Sequence, residues 1–450
     1  MNPKNKLAEM PIRPLLYTMA VPLMLSLLIQ SLYNIVDSIF VARLSETALT
    51  AASLVYAIQF LMIAIGVGTA VGLNALLSRK LGQKKPEEAC RAATTGLFLM
   101  LGTSLVFTLV GLLFSNRIAA ALTNDSELQQ LCREYLSVNL VFCWGIFLQT
   151  YGQRLLQAVG DTVLSMVSLI IGAVVNIILD PIMIFGLLGC PAMGIAGAAI
   201  ATVIGQIGGM TLGLVLNQAK NVELRLHLKG FRPNKTILKG ILDVGFPSII
   251  MQSISSVMNV LMNMILLGFG ATAVNVLGVY FKLQSFVFMP VFGLSNGLVA
   301  ILGYNYGARM RARVYDALKV ALIWACVIML LGTIAFLLIP ETLLSLFEAG
   351  NARDLTDMGV VALRVISLSF LLAAVGITIS TLFQAVGKGM YSLWMSLCRQ
   401  IIVLLPVAWL LSKTGNVDAV WWSFPIAELF SVALCLLLYR RVDRNMLQKL

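Results

Sequence analysis

Residues 68–82 read GTAVGLNALLSRKLG, and residues 293–307 read GLSNGLVAILGYNYG. A shift of 225 residues lays one on the other and matches Gly68 with Gly293, Gly72 with Gly297 and Gly82 with Gly307. The same shift pairs Pro22 with Pro247, Asn34 with Asn259 and Gln59 with Gln284, while a shift of 227 sets LLQAVG (155–160) on LFQAVG (382–387). Shared apolar composition would scatter matches over Leu and Ala. Aligned Gly, Pro, Asn and Gln instead point to a duplicated structural unit, and the chain divides into two copies, about 1–225 and 226–450.

Composition says where these copies reside. Of 450 residues, 59% are hydrophobic and 12% charged, against the ~25% charge of a soluble domain. Such a chain cannot cover a water-facing surface, which excludes a soluble enzyme. Its wealth of Leu, Ile, Val, Phe and Met also excludes disorder. Twelve apolar stretches are long enough to cross a bilayer as helices: roughly 15–41, 52–78, 92–114, 136–158, 163–187, 194–216, 240–267, 273–302, 316–339, 359–385, 391–411 and 419–439. The first runs through Gln30, Asn34 and Asp37 without a small-residue cleavage site, so it is no signal peptide. The expected fold is an all-α integral membrane protein of twelve transmembrane helices, in two six-helix lobes related by a pseudo-twofold. Its expected boundaries are an N-lobe at 1–216, a linker at 217–239 and a C-lobe at 240–450. An even number of spans per copy gives both copies the same orientation. Parallel repeats of this kind build transporters that bind substrate between halves and rock to expose it alternately.

The net charge of +12 is sorted by side. The two termini and every second loop carry 24 of the 32 Lys and Arg, among them Lys84, Lys85, Arg225, Arg311 and Arg440; the opposite loops carry only Arg43, Arg117, Arg133, Arg353 and Lys413. Lys and Arg accumulate on the cytoplasmic side, which places both termini in the cytoplasm and the chain in the cell membrane. With their acids counted, the cytoplasmic segments carry +16, the external loops −4 and the spans zero. The basic balance is thus a topology signal and implies no nucleic-acid partner. Nor does it imply an obligatory protein partner.

Apart from residues at the cytoplasmic ends of spans, which are counted with the cytoplasmic segments, six charged residues fall inside the spans: Asp37, Asp180, Lys282, Arg364, Arg399 and Glu428. Each is costly in hydrocarbon and is a functional candidate for that reason. Asp37 on span 1 and Asp180 on span 5 sit ~7 and ~10 Å from the outer ends of helices running the same way, so they share one level. Gln30, Asn34 and Asp37 follow i, i+4, i+7 on one face. Asn176 lies one turn before Asp180, and Pro181 frees the carbonyl of Ile177. Acids for charge, with amides and a free carbonyl for the rest of the shell, are what an intramembrane proton or sodium site requires. Two acids separately paired with a buried base, or facing a water-filled cleft as static polarity, would be the static alternative. Arg399 and Glu428, on adjacent spans, are expected to form a structural ion pair, and Arg364, near a helix end, to snorkel.

Span 7 reads PSIIMQSISSVMNVLMNMILLG and carries Gln252, Ser253, Ser256, Asn259 and Asn263 among four Met, Met262 included. Adaptable Met beside a polar stripe suits a pocket for varied greasy molecules. Lys282, beside Phe281 and Gln284 on span 8, would complete a substrate-binding set with Gln30, Gln59, Gln252, Ser256, Asn259 and Met262. Seven Cys show neither paired nor metal-ligand spacing. The one histidine, His227, sits in the basic linker, and no P-loop or GxSxG elbow occurs. An enzyme, an ATP-driven pump and a metal or organic cofactor are accordingly not expected.

The order of these features resembles the multidrug and toxic compound extrusion (MATE) family. The carrying residues are Pro14, Pro22 and Asp37 with QSLYNIVD (30–37), the 68–82 stretch and its copy, LLQAVGD with LFQAVGK, and the pair Asp180-Pro181. The resemblance spans essentially the whole chain. It implies a V-shaped, two-lobe antiporter exporting organic, often cationic, small molecules against H+ or Na+. It is most similar to the DinF-like branch, in which acids on helices 1 and 5 form the N-lobe coupling site. Asp37, Asn176 and Asp180 match that pattern, with Asn34 beside it. The NorM-like branch places acids on helices 7 and 10, where this chain has none on 7 and only Arg364 on 10. Flippases of lipid-linked precursors belong to the same wider superfamily and form the alternative reading.

Overall fold

The computed structural model describes residues 6–226, 234–345 and 353–450; Lys4, His227, Lys229, Arg232 and Glu348 lie outside the described residues. Ten described helices are long and apolar enough to cross a membrane unaided, and two bent pairs bring the spans to 12. In the first copy they are α1 (Ile12–Leu44), α2 (Glu46–Gly82), α3 (Pro86–Leu122), α4 (Ser126–Val141 and Trp144–Ala158), α5 (Thr162–Phe185) and α6 (Gly194–Lys220). The second copy comprises α7 (Lys235–Leu267), α8 (Ala271–Gly307), α9 (Arg311–Leu338), α10 (Arg353–Ser367 and Phe370–Ala385), α11 (Gly389–Ser412) and α12 (Val417–Trp421 and Ser423–Val442). The fourth span of each copy is the bent one, by 43° in α4 and 48° in α10. The duplication therefore extends to the breaks. Leu105, Leu112 and Leu113 on α3 are all exposed, as are Leu331 and Leu338 on α9, a surface suited to hydrocarbon.

The repeated glycines have a packing reason. A Cβ on Gly72 of α2 would stand 2.7 Å from the Gly245 nitrogen of α7, and one on Gly293 of α8 would stand 2.6 Å from the Met24 nitrogen of α1. Gly297 meets Met19 and Ala20 at 3.4 Å, and Gly245 meets Gly68 and Thr69 at 3.3 Å. Each motif is thus a groove without side chains that receives the first turns of the other copy's first helix. Accordingly, the two compact units are not the two sequence halves: one gathers the chain up to Met24 with Phe246–Leu450, and the other is Leu25–Gly245. The packing boundary falls inside α1 and α7, beside the repeat-related Pro22 and Pro247. Repeat and packing mark different borders, the first in the linker and the second inside helices.

The other repeated motif is a helix stop. Gly160 and Gly387 have φ of +88° and +83°, and the next amide bonds back five residues, Asp161 to the Leu156 carbonyl and Lys388 to that of Phe383. This is the left-handed cap that glycine adopts without a Cβ penalty. At the ends of α2 and α8 the same geometry is built on Lys84 and Arg309, both at φ +57°, with Lys85 bonding to Lys80 and Met310 to Asn305. Next to the second of these turns, Arg313 donates to Asn305 Oδ1 at 2.8 Å and to the Leu7 and Met10 carbonyls at 2.9 Å. It thereby fastens the short helix Lys6–Glu9 to this unit.

Candidate functional site

The acids of α1 and α5 meet inside the Leu25–Gly245 unit. Asp180 is fully buried and Asp37 half-buried, and their carboxyl groups are near enough to interact directly. Asn176 Nδ2 donates to Asp180 Oδ1 at 3.2 Å and also approaches Thr202 Oγ1 of α6 at 3.3 Å. This triangle exists because α5 and α6 pack with almost no side chains between them. A Cβ on Gly205 would stand 2.6 Å from the Gly172 carbonyl oxygen and 2.9 Å from Asn176 Cβ. Pro181 lies inside α5, directly after the acid.

Charge balance sets the chemistry. Among the described residues no ion pair involves Asp37 or Asp180, and Asp37 Oδ1, Asn176 Oδ1 and Asp180 Oδ2 are buried without a hydrogen-bond partner. Buried lone pairs that no protein donor meets are strongly unfavourable. A proton shared between the acids would satisfy them. So would a hard cation, since carboxylate, amide and hydroxyl oxygens are its ligands. No cluster of three or more His, Cys, Asp or Glu suited to a metal occurs among the described residues.

Two aromatic hydroxyls lie near the acids, with a third beside one of them. Tyr33 of α1 and Tyr135 of α4 lie within electrostatic reach of both Asp37 and Asp180, Tyr56 of α2 adjoins Tyr33, and Gln59 of α2 reaches the Tyr135 hydroxyl. Tyr33, Tyr135 and Thr202 do not stand out in the sequence. Asn34, expected beside the acids, lies on the exposed face of α1 instead, its carbonyl accepting from Ser38 Oγ at 2.9 Å. Gln30 is half-buried on the same helix.

The other unit differs at the matching place. By the 225-residue shift, Asp37, Asn176, Asp180 and Pro181 correspond to Met262, Ile401, Leu405 and Pro406. There α7 and α11 bound an open apolar groove of about 590 Å³, lined by Leu261, Met264, Ile401, Leu405, Pro406 and Trp409. Along α7, Gln252 and Asn259 are half-buried and Ser256 is exposed, whereas Met262 is fully buried and turns into the packing. On α8, Phe281 is half-buried against Tyr280 with ring centroids 5.3 Å apart, Gln284 is half-buried and Lys282 exposed. Arg364 of α10 pairs with Glu341 at 3.3 Å on the surface, and Arg399 faces Glu428 at 3.6 Å. All seven cysteines are free thiols.

Twelve apolar spans in two copies, with an acid pair in one of them that no base meets among the described residues, define a multi-pass membrane protein of duplicated architecture. The MatE family model matches the chain twice, over residues 22–182 and 247–410, the two matches beginning 225 residues apart. The chain belongs to the MatE family of multidrug efflux transporters. It is 27% identical over 427 residues to the multidrug export protein MepA of Staphylococcus aureus strain MSSA476, covering 94% of this chain and 93% of that one. MepA of Staphylococcus haemolyticus strain JCSC1435 is 26% identical over 410 residues, at 91% and 89% coverage. Among solved structures, the chain superposes over its whole length on a MATE transporter in complex with MaL6, with 100% of both chains covered, at a TM-score of 0.93 and 25% identity. A MOP superfamily transporter from Pyrococcus furiosus Vc1, at 0.92 and 24% with 99% of each chain covered, shares the fold.

Proposed function

We propose that this protein is a secondary active antiporter that exports lipophilic, often cationic, organic compounds in exchange for H+ or Na+. The observation that carries this reading is the pair Asp37 and Asp180, buried together without a basic partner among the described residues. A permanently compensated pair would be structural, whereas an uncompensated pair needs a positive charge to arrive and leave. The exported molecule and the coupling ion compete through the protein's two access states, and alternating access by rocking of two lobes links their movements. The acids on α1 and α5 support the DinF-like reading. The relatives named for multidrug export support the substrate class. The sorting of Lys and Arg supports both termini in the cytoplasm.

The test is transport in proteoliposomes with the proton and sodium gradients dissipated separately. Export of a lipophilic cation is expected to stop with one gradient and survive loss of the other. Export indifferent to both overturns the antiport reading. A labelled lipid-linked precursor in the same vesicles tests the flippase alternative.

A further inference from the structure

The second unit holds a carboxylate of its own. Glu428, on α12, is 6% exposed. Its Oε1 makes no hydrogen bond and lies 3.6 Å from Arg399 Nη1, beyond hydrogen-bonding length. A buried ionised carboxylate is stable when several short, charge-assisted bonds hold it; this oxygen has one loose ionic contact. The partners are also unequal. The Arg399 side chain is 30% exposed and the Glu428 side chain 8%, so the guanidinium can withdraw while the carboxyl stays enclosed.

Two further features bear on the pair. On the same span Trp421 Nε1, Ser423 Oγ and Ser431 Oγ are likewise buried without partners, and Ser431 follows Glu428 by one turn within the helix Ser423–Val442. A Cβ on Gly376 of α10 would stand 3.6 Å from Glu428 Oε1, so the wall opposite the oxygen is a glycine. Arg399 itself sits in a π-helical stretch of α11, Cys398–Leu404, a wound-out geometry found at functional places and able to tighten by one residue.

We propose that Glu428 is a proton-binding site of this unit, separate from the acid pair of α1 and α5, and that the arriving proton displaces Arg399. The proton bonds to a carboxylate oxygen, the ion pair breaks, and the new O–H donates toward the unpartnered hydroxyls along α12. The proposal does not depend on Asp37. The titratable groups facing Glu428 are Arg399 from α11, Tyr280 from α8 and Cys435 from α12 itself. On the remaining packed elements, residues 370–385 and 405–412 carry no ionisable side chain, Tyr391 meets Phe383 edge-on, and Arg364 is engaged by Glu341; Asp357, Asp418, Asp443 and Arg444 lie on the other neighbouring elements, Asp443 being bonded by Tyr315 and Gln448.

The experiment is infrared difference spectroscopy between low and high pH on the purified full chain in nanodiscs, in a D37N/D180N background that removes the acid pair of α1 and α5, with the Glu428 band identified by subtracting the spectrum of added E428Q. A carboxyl C=O band that appears on acidification is expected, lost in added E428Q and moved in added E428D. The E428D arm keeps the test open should E428Q fail to fold. In the wild-type background, E428Q is expected to flatten the pH dependence of substrate exchange. The same carboxyl band in E428Q, or an unmoved band in E428D, overturns the proposal.

Discussion

A single amide, Asn176 Nδ2, is shared between Asp180 Oδ1 at 3.2 Å and Thr202 Oγ1 at 3.3 Å, tying the acid of α5 to the neighbouring helix. A hydrogen bond to a charged group contributes about 1.5–3 kcal/mol, or roughly tenfold to a hundredfold in an equilibrium constant. Asn176→Ala is therefore expected to weaken the coupling ion's apparent affinity by about that factor. Export rate measured against driving-ion concentration reads it. An unchanged half-saturation would mean that Asn176 does not serve the acid.

Gly205 is the residue that lets this contact form. A methyl group there would press on the Gly172 carbonyl and on Asn176 Cβ, and overpacking of this kind costs about 1–3 kcal/mol. Gly208, three residues on, has nothing within 4 Å, so an added methyl group meets open space and should stabilise the helix by up to about 1 kcal/mol. Thermal unfolding in detergent should therefore move in opposite directions for Gly205→Ala and Gly208→Ala.

Much of the architecture can be read from residues alone, and the reasons differ by feature. The two acids are conspicuous because ionised side chains are rare in hydrocarbon, and similar distances from the outer helix ends put them near one level. Thr202 is inconspicuous because its hydroxyl bonds back to the Ala198 carbonyl at 3.0 Å, as many span hydroxyls do, and no local spacing sets α6 against α5. Tyr33 and Tyr135 are hidden for the same reason, being ordinary aromatic residues until the helices pack. The Gly72 and Gly297 motif is legible as a repeat. That it receives the opposite copy's first helix is a long-range fact that no periodicity encodes. Asn34 keeps the helical spacing to Asp37 but is exposed.

The left-handed turns offer a backbone test. Lys84 and Arg309 hold φ of +57°, at a cost of about 1 kcal/mol that glycine avoids. Lys84→Gly and Arg309→Gly are expected to raise the unfolding temperature slightly. Gly387→Ala, at φ +83°, should lower it. A fall in both glycine variants would show that those side chains stabilise more than the turn costs.

Glu223, after the end of α6, supplies a pH dependence outside the spans. Its carboxyl is pushed above the ordinary carboxylate range, chiefly by burial and further by Asp161. A raised folded-state value means the folded protein holds that proton more tightly than the unfolded chain. The associated stability is therefore complete at pH below the ordinary value and is lost as pH rises through the raised one. Unfolding temperature followed across this window should decline in the wild type, and Glu223→Gln should flatten the decline. An identical slope in the variant would place the titration elsewhere.

Under the proposed function, Asp37, facing Asp180, couples export to the ion gradient. The most direct test is efflux of a lipophilic cation from proteoliposomes holding Asp37→Asn, with correct insertion verified and substrate binding measured in the same preparation. Gradient-driven efflux is expected to be lost while substrate still binds. Gradient-driven efflux at the wild-type rate in that variant would contradict it.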